Sequence, residues 1–211
     1  MTFSRLRQRP RAILAALAFL VVGAASGPVA AQDIAKEAGE FVRGLGDKAI
    51  EMVADKAMAQ PQREAKFREL FDRSFDVPAI GRFVMGRYWK IATEEQRQEF
   101  LKLFEEIVVK TYAVRFSEYS GEKFRVTGAR VEAENHAIVN TEVVRTNGEP
   151  PIKVDWRVLK PKGELKIYDV MIEGVSMSVT QQEEYGAVIQ RAGGQVEALL
   201  NTMRDRLKGK S

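Results

Sequence analysis

The chain has 211 residues, 45% of them apolar, with 33 Lys and Arg against 29 Asp and Glu, a size and balance that suit one domain with a sizeable core. Four of the basic residues and none of the acids fall in residues 1–31, so residues 32–211 carry 29 of each sign and offer no net charge on which a nucleic acid would be held. There is no cysteine and only one histidine, which excludes disulfides, thiol catalysis and thiolate metal sites and leaves a histidine-based metal site without enough ligands.

The first 31 residues read as a secretory leader. Arg5, Arg7, Arg9 and Arg11 precede an apolar run from Ala12 to Val22, and Val29-Ala30-Ala31 offers small residues for cleavage before Gln32. The apolar run is too short to span a hydrocarbon core, which takes roughly 20 residues. The expected organisation is a leader at 1–31 and one domain at 32–211. The domain opens with a helix striped by Ile34, Ala38, Phe41, Leu45, Ala49 and Val53, frayed or bent by Gly39, Gly44 and Gly46 and ended by Gln60-Pro61. A second helix runs from about Gln62 to Phe75 with Phe67, Leu70, Phe71 and Phe75 on one side. Asp76 caps a short helix ending at Met85, and Gly86 closes it. Thr93 and Gln96 form a capping box that opens the longest helix, to about Tyr119.

After Gly121 the apolar period changes from 3.6 to 2. Strands are expected at 123–132, 136–146, 152–160 and 165–173, joined by short turns into an antiparallel meander. In the third, Ile152, Val154, Trp156 and Val158 alternate with Lys153, Asp155, Arg157 and Leu159, one apolar face and one mostly wet. Thr180 is the expected cap of a helix to Arg191, Gly193-Gly194 breaks it, and Val196 to Leu207 forms the last. Helices, a four-stranded antiparallel sheet and helices again make an α+β domain.

Few residues in this pattern suggest chemistry. His136 lies in a turn between two strands. Gly174-Val175-Ser176-Met177-Ser178 is half a nucleophile elbow, lacking the second glycine; its hydroxyls suit a helix cap. Asp155, Asp169 and Glu173 lie on adjacent strands, where acids facing Lys153, Arg157 and Lys166 across the sheet are the ordinary arrangement. Gly81 to Gly86 merely has glycines at both ends of a helix. The supply of Phe83, Met85, Tyr88, Trp89, Tyr112, Phe116, Tyr119, Trp156 and Met177 is large for one modest sheet and suits an adaptable apolar pocket.

Two segments carry a family resemblance. The first is Phe75-Asp76-Val77-Pro78 through Phe83-Val84-Met85-Gly86-Arg87-Tyr88-Trp89 to Ala92-Thr93-Glu94-Glu95-Gln96-Arg97-Gln98-Glu99-Phe100, and the second is Tyr168-Asp169-Val170-Met171-Ile172-Glu173-Gly174-Val175-Ser176. Over roughly residues 35–207 the chain resembles the MlaC, or toluene-tolerance, family of periplasmic phospholipid carriers. The resemblance implies a sheet like that of nuclear transport factor 2, wrapped by long N- and C-terminal helices, with acyl chains held between sheet and helices. It also implies a monomeric shuttle, without catalysis, cofactor or metal, between an outer-membrane lipoprotein complex and an inner-membrane complex of a hexameric lipid-binding protein with an ABC transporter. The stretch Met177 to Tyr185 departs from many members and is similar to a branch associated with hopanoid biosynthesis, which leaves glycerophospholipid and polycyclic lipid both open. The expected pocket lining is Phe83, Tyr112, Phe116, Val139, Val143, Val154, Trp156, Val158, Val170 and Ile172. Two other readings remain: an exported interaction module with a packed core, and an acid–base enzyme using Asp155, Asp169 and Glu173.

Overall fold

The computed structural model describes residues 27–117 and 119–209, with side chains from Asp33 onward except those of residues 116–118. The arginines and apolar run of the expected leader therefore lie outside the described residues. Seven α-helices are described: α1 (Gly27–Ala54), α2 (Gln60–Ser74), α3 (Val77–Met85), α4 (Tyr88–Ile91), α5 (Glu94–Ser117), α6 (Met177–Arg191) and α7 (Val196–Leu207). Between α5 and α6 lie β1 (Lys123–Ala133), β2 (His136–Val144), β3 (Ile152–Leu159), β4 (Lys166–Ile172) and the two-residue β5 (Val175–Ser176). The five strands form one antiparallel sheet in sequence order, the expected meander with a short fifth strand added. Among the described residues no helix is long and apolar enough to cross a membrane.

Local chemistry sets most boundaries. The Asp76 carboxylate accepts from the Ala79 amide at 3.0 Å and starts α3. Thr93 and Gln96 exchange bonds at 3.2 Å each, the capping box that starts α5. Three boundaries differ from expectation. Gln60-Pro61 begins α2 rather than ending α1, because proline suits a first helical turn, where its missing N–H would have no partner. Residues 88–91 make an additional turn, α4, after the positive-φ Gly86 (53°). Ser176, not Thr180, caps α6, its hydroxyl accepting from the Val179 amide at 3.2 Å.

The helices and the sheet build two cores. In the first, Phe100, Phe104 and Ile107 of α5 pack with Ile80, Val84 and Met85 of α3, Tyr185 and Ile189 of α6, and Leu199, Leu200 and Met203 of α7. In the second, Ile34, Ala38 and Val42 of α1 lie on Ala137, Val139, Val158 and Ile167 of the sheet. Phe75, at the end of α2, borders both. Gly39 and Gly46 of α1 are part of this packing. A Cβ at Gly46 would stand 2.2 Å from the Phe124 ring, and one at Gly39 would meet the Ala129 side chain at 3.6 Å. They let the helix lie close on β1 at some cost in helix propensity.

Candidate functional site

The sheet's inward face is set by register. Val139 pairs with Trp156, Thr141 with Val154, and Val143 with Ile152; Trp156 pairs with Val170, and Val154 with Ile172. These residues share one face with Val158, which pairs with Ala137. Val139 and Val158 are fully buried beneath α1. Val143, Val154 and Ile172 are half-buried and lie outside the packed cluster that α1 makes.

Aromatic rings connect this face to the helices. Phe67, Phe71 and Phe75 follow one another at steps of four along α2, with centroids 6.2 Å and then 4.6 Å apart. Phe75 meets Trp156 edge-on at 6.5 Å, and Trp156 meets Phe124 of β1 at 6.2 Å. At the other end Phe67 lies 6.5 Å from Tyr112 of α5. The chain of rings thus runs from α5 through α2 and across the inward face to the edge strand β1. The Trp156 indole donates to the Thr141 hydroxyl at 3.0 Å, and that hydroxyl donates to the Val154 carbonyl at 2.7 Å. Both polar groups are satisfied within the sheet, so the face presents apolar surface. α1, α2, α3 and α6 pack closely on the sheet, whereas α5 packs on α7, α2 and α3.

Of the ten residues expected to line a pocket, seven share this face: Val139, Val143, Val154, Trp156, Val158, Val170 and Ile172. Tyr112 joins them through the rings of α2. Phe116 lies in the last turn of α5 and its side chain is outside the described residues. Phe83 is 47% exposed on α3 and stands apart from the group. The ring chain also includes Phe67, Phe71, Phe75 and Phe124, which were not among the expected lining. The spacing of Phe67, Phe71 and Phe75 is visible in the sequence, but the side to which α2 turns them depends on tertiary packing. Two open grooves are found among the described residues: one of about 610 Å³ between α1 and β1, bordered by Lys36, Gly39, Arg43, Gly128 and Arg130, and one of about 390 Å³ beside the ring chain at Phe75, Val77, Pro78 and Leu101.

The opposite face of the sheet is polar and largely self-paired. Arg157 and the Tyr168 hydroxyl both donate to Glu132, at 2.8 and 2.7 Å. Burial first, and then the bond to Glu132, holds the Tyr168 hydroxyl well above the ordinary phenol range. Asn140 donates to Asp155 at 2.7 Å, and the Lys153 amide donates to Glu173 at 2.7 Å. Asp169 is not the solvated acid that strand alternation suggests. It is 5% exposed and accepts from the Ser176 hydroxyl at 2.7 Å, the Ser178 hydroxyl at 2.8 Å and the Ser178 amide at 3.1 Å. The three acids are thus each engaged in holding backbone or side chains in place. Ser176 and Ser178 serve the carboxylate, and Ser176 also caps the helix start. His136 is half-buried beside Tyr168, one ring nitrogen 2.7 Å from the Glu134 carbonyl. Among the described residues no group of three or more His, Asp or Glu is placed to hold a metal.

The family model for MlaC protein matches residues 44–205. The chain is 29% identical over 127 residues to the intermembrane phospholipid transport system binding protein MlaC of Haemophilus influenzae, covering 59% of this chain and 58% of that protein. It is 24% identical over 127 residues to the toluene tolerance protein ttg2D of Pseudomonas putida, covering 60% and 59%. Each match thus spans less than two thirds of the relative's length. Among solved structures, a phospholipid-binding protein from Ralstonia solanacearum, determined in complex with a phospholipid, superposes with a TM-score of 0.71 at 26% identity, over 82% of this chain and 98% of that one.

Proposed function

The chain belongs to the MlaC family, and we propose that it is a periplasmic phospholipid carrier, exported by residues 1–31 and folded from 32 onward, that holds acyl chains against the inward face of its sheet. As a monomeric shuttle it takes lipid between an outer-membrane lipoprotein complex and an inner-membrane lipid-binding hexamer with its ABC transporter. The reading assigns it no catalytic step.

The observation that carries this reading is the uncharged inward face at Val143, Val154, Trp156 and Ile172, joined to α2 and α5 by aromatic rings. The likeness of the whole chain to a protein determined in complex with a phospholipid supports the carrier reading. The physical need is plain. Each methylene leaving water is worth about 0.8 kcal/mol, so a two-chain lipid of roughly 30 methylenes is held in its bilayer by ~20 kcal/mol. A carrier must offer apolar surface on that scale, and an unpaired charge on that surface would oppose it. The second reading, a polycyclic lipid, rests on the stretch Met177 to Tyr185. In the fold that stretch opens α6, with Ser178 on Asp169 and Tyr185 in the helical core.

Val154→Trp tests the pocket. Val154 stands between Thr141 and Ile172 on the neighbouring strands, so the larger ring would fill the space beside them. We expect bound lipid per protein to fall at least tenfold while the far-ultraviolet spectrum and cooperative unfolding persist. Unchanged occupancy would move the pocket off this face.

A further inference from the structure

We propose that the turn from α3 into α4 is a membrane-docking surface that seats this protein on anionic lipid headgroups. The inference rests on the carrier reading above, since a lipid carrier has a reason to meet a bilayer. Its own evidence is separate. Residues 32–211 carry equal numbers of both charges, yet residues 77–93 contain Arg82, Arg87 and Lys90 and not one acid. Among the described residues neither Arg82 nor Lys90 makes an ion pair, and both are exposed. Arg87 is exposed as well and is oriented by Tyr88, donating to its hydroxyl at 2.8 Å with the guanidinium 4.9 Å from the ring centre.

Two large apolar side chains stand out of the same stretch. Phe83 is 47% exposed and Ile91 65%, although Ile80, Val84, Met85 and Tyr88 beside them are buried in the helical core. Propensity does not require a phenylalanine or an isoleucine at these outer positions, and water penalises them. The nearest acids along the chain do not neutralise the cations. Asp76 is occupied with the Ala79 amide, and Glu94 lies 3.5 Å from Arg97. Where α6 meets Phe83 it presents an amide side chain, Gln182, which donates to the Phe83 carbonyl. Exposed Phe and Ile among unpaired Arg and Lys are the composition of a surface that rests at the headgroup boundary, the cations near phosphates and the apolar tips below them. An acidic protein partner would be matched by the cations, but would give less reason for the two apolar tips.

The test is flotation of the exported protein with vesicles of phosphatidylcholine alone and of phosphatidylcholine with phosphatidylglycerol. Binding to the mixed vesicles only, weakened by salt, is expected. Each cation near an anionic surface contributes about fivefold, so the double substitution Arg82→Gln, Lys90→Gln should weaken binding roughly twenty-five-fold. Phe83→Ser with Ile91→Ser should remove the binding that survives high salt. Both variants should unfold as the parent does, and Arg82→Gln, Lys90→Gln should retain the lipid it carries. Equal flotation of parent and variants, or no flotation of the parent, overturns the proposal. So does a loss in the variants of binding to a purified membrane complex without any loss on vesicles, which would make the surface a protein interface. A protein that floats as expected yet carries no lipid would leave the docking surface standing and remove the carrier reading instead.

Discussion

Tyr185 shows how a single hydroxyl sets part of the stability. Its ring lies in the helical core, edge-on to Phe100 at 6.0 Å, and its hydroxyl has no hydrogen-bond partner among the described residues. Burial, opposed by Arg206 and reinforced by Glu184, pushes that hydroxyl up to about 12. The unfolded chain ionises near pH 10 and the folded chain near 12, so the folded state prefers the proton. Its contribution to stability is intact below about pH 10 and is lost as the pH rises toward 12, by about 1.4 kcal/mol per unit. Tyr185→Phe should flatten that alkaline decline. At neutral pH it should leave stability unchanged or raise it by ~1 kcal/mol, because a buried unpaired hydroxyl costs about 1–3 kcal/mol. Urea midpoints of both proteins at neutral pH and at roughly pH 11 check the two effects; an equal alkaline loss in both would show that other groups cause it.

At the scale of elements, α1 and α6 are held by contacts that local preference does not foretell. Gly44 and Gly46 are two residues apart on α1, but a Cβ at Gly44 meets nothing within 4 Å while one at Gly46 meets the Phe124 ring at 2.2 Å. Gly44→Ala should therefore stabilise by about 1 kcal/mol through helix propensity. Gly46→Ala should destabilise by roughly 1–2 kcal/mol, the crowding at Phe124 outweighing the same gain. Thermal unfolding of the pair reads the signs, and a gain in both would mean that α1 does not rest on β1 as described. The start of α6 depends on the buried Asp169. Asp169→Ala would strand the Ser176 and Ser178 hydroxyls and the Ser178 amide, a loss of roughly 3 kcal/mol. Faster amide exchange at Ser178 and Val179 should accompany it; unchanged exchange there would show that α6 is anchored by its packing alone.

For the whole molecule, the parts legible in the sequence were those with a local cause. The capping box at Thr93, the cap at Asp76 and the alternation of Ile152, Val154, Trp156 and Val158 each lie within a few neighbouring residues, and each stands in the fold. What was illegible depends on distant partners. Register shifts between Val126 and Gly128, and between Arg157 and Val158, add a residue without a marked local pattern. Asp169 lies where alternation puts it, opposite Arg157, but Ser176 and Ser178 fold back over it. The glycines of α1 read as weak points because propensity is local, whereas the strand they approach lies some 80 residues away. The apolar face followed directly from strand period; the aromatic rings that tie it to α2 did not, because nothing in α2 says which side meets the sheet. The central claim is that this face carries lipid. The most direct measurement is mass spectrometry of an organic extract of the protein recovered from the cell envelope, beside an unrelated exported protein prepared in the same way. The account predicts phospholipid in amounts comparable to the protein and none in the control. An extract without lipid, together with no uptake of added phospholipid, would contradict it and leave an interaction module as the better description.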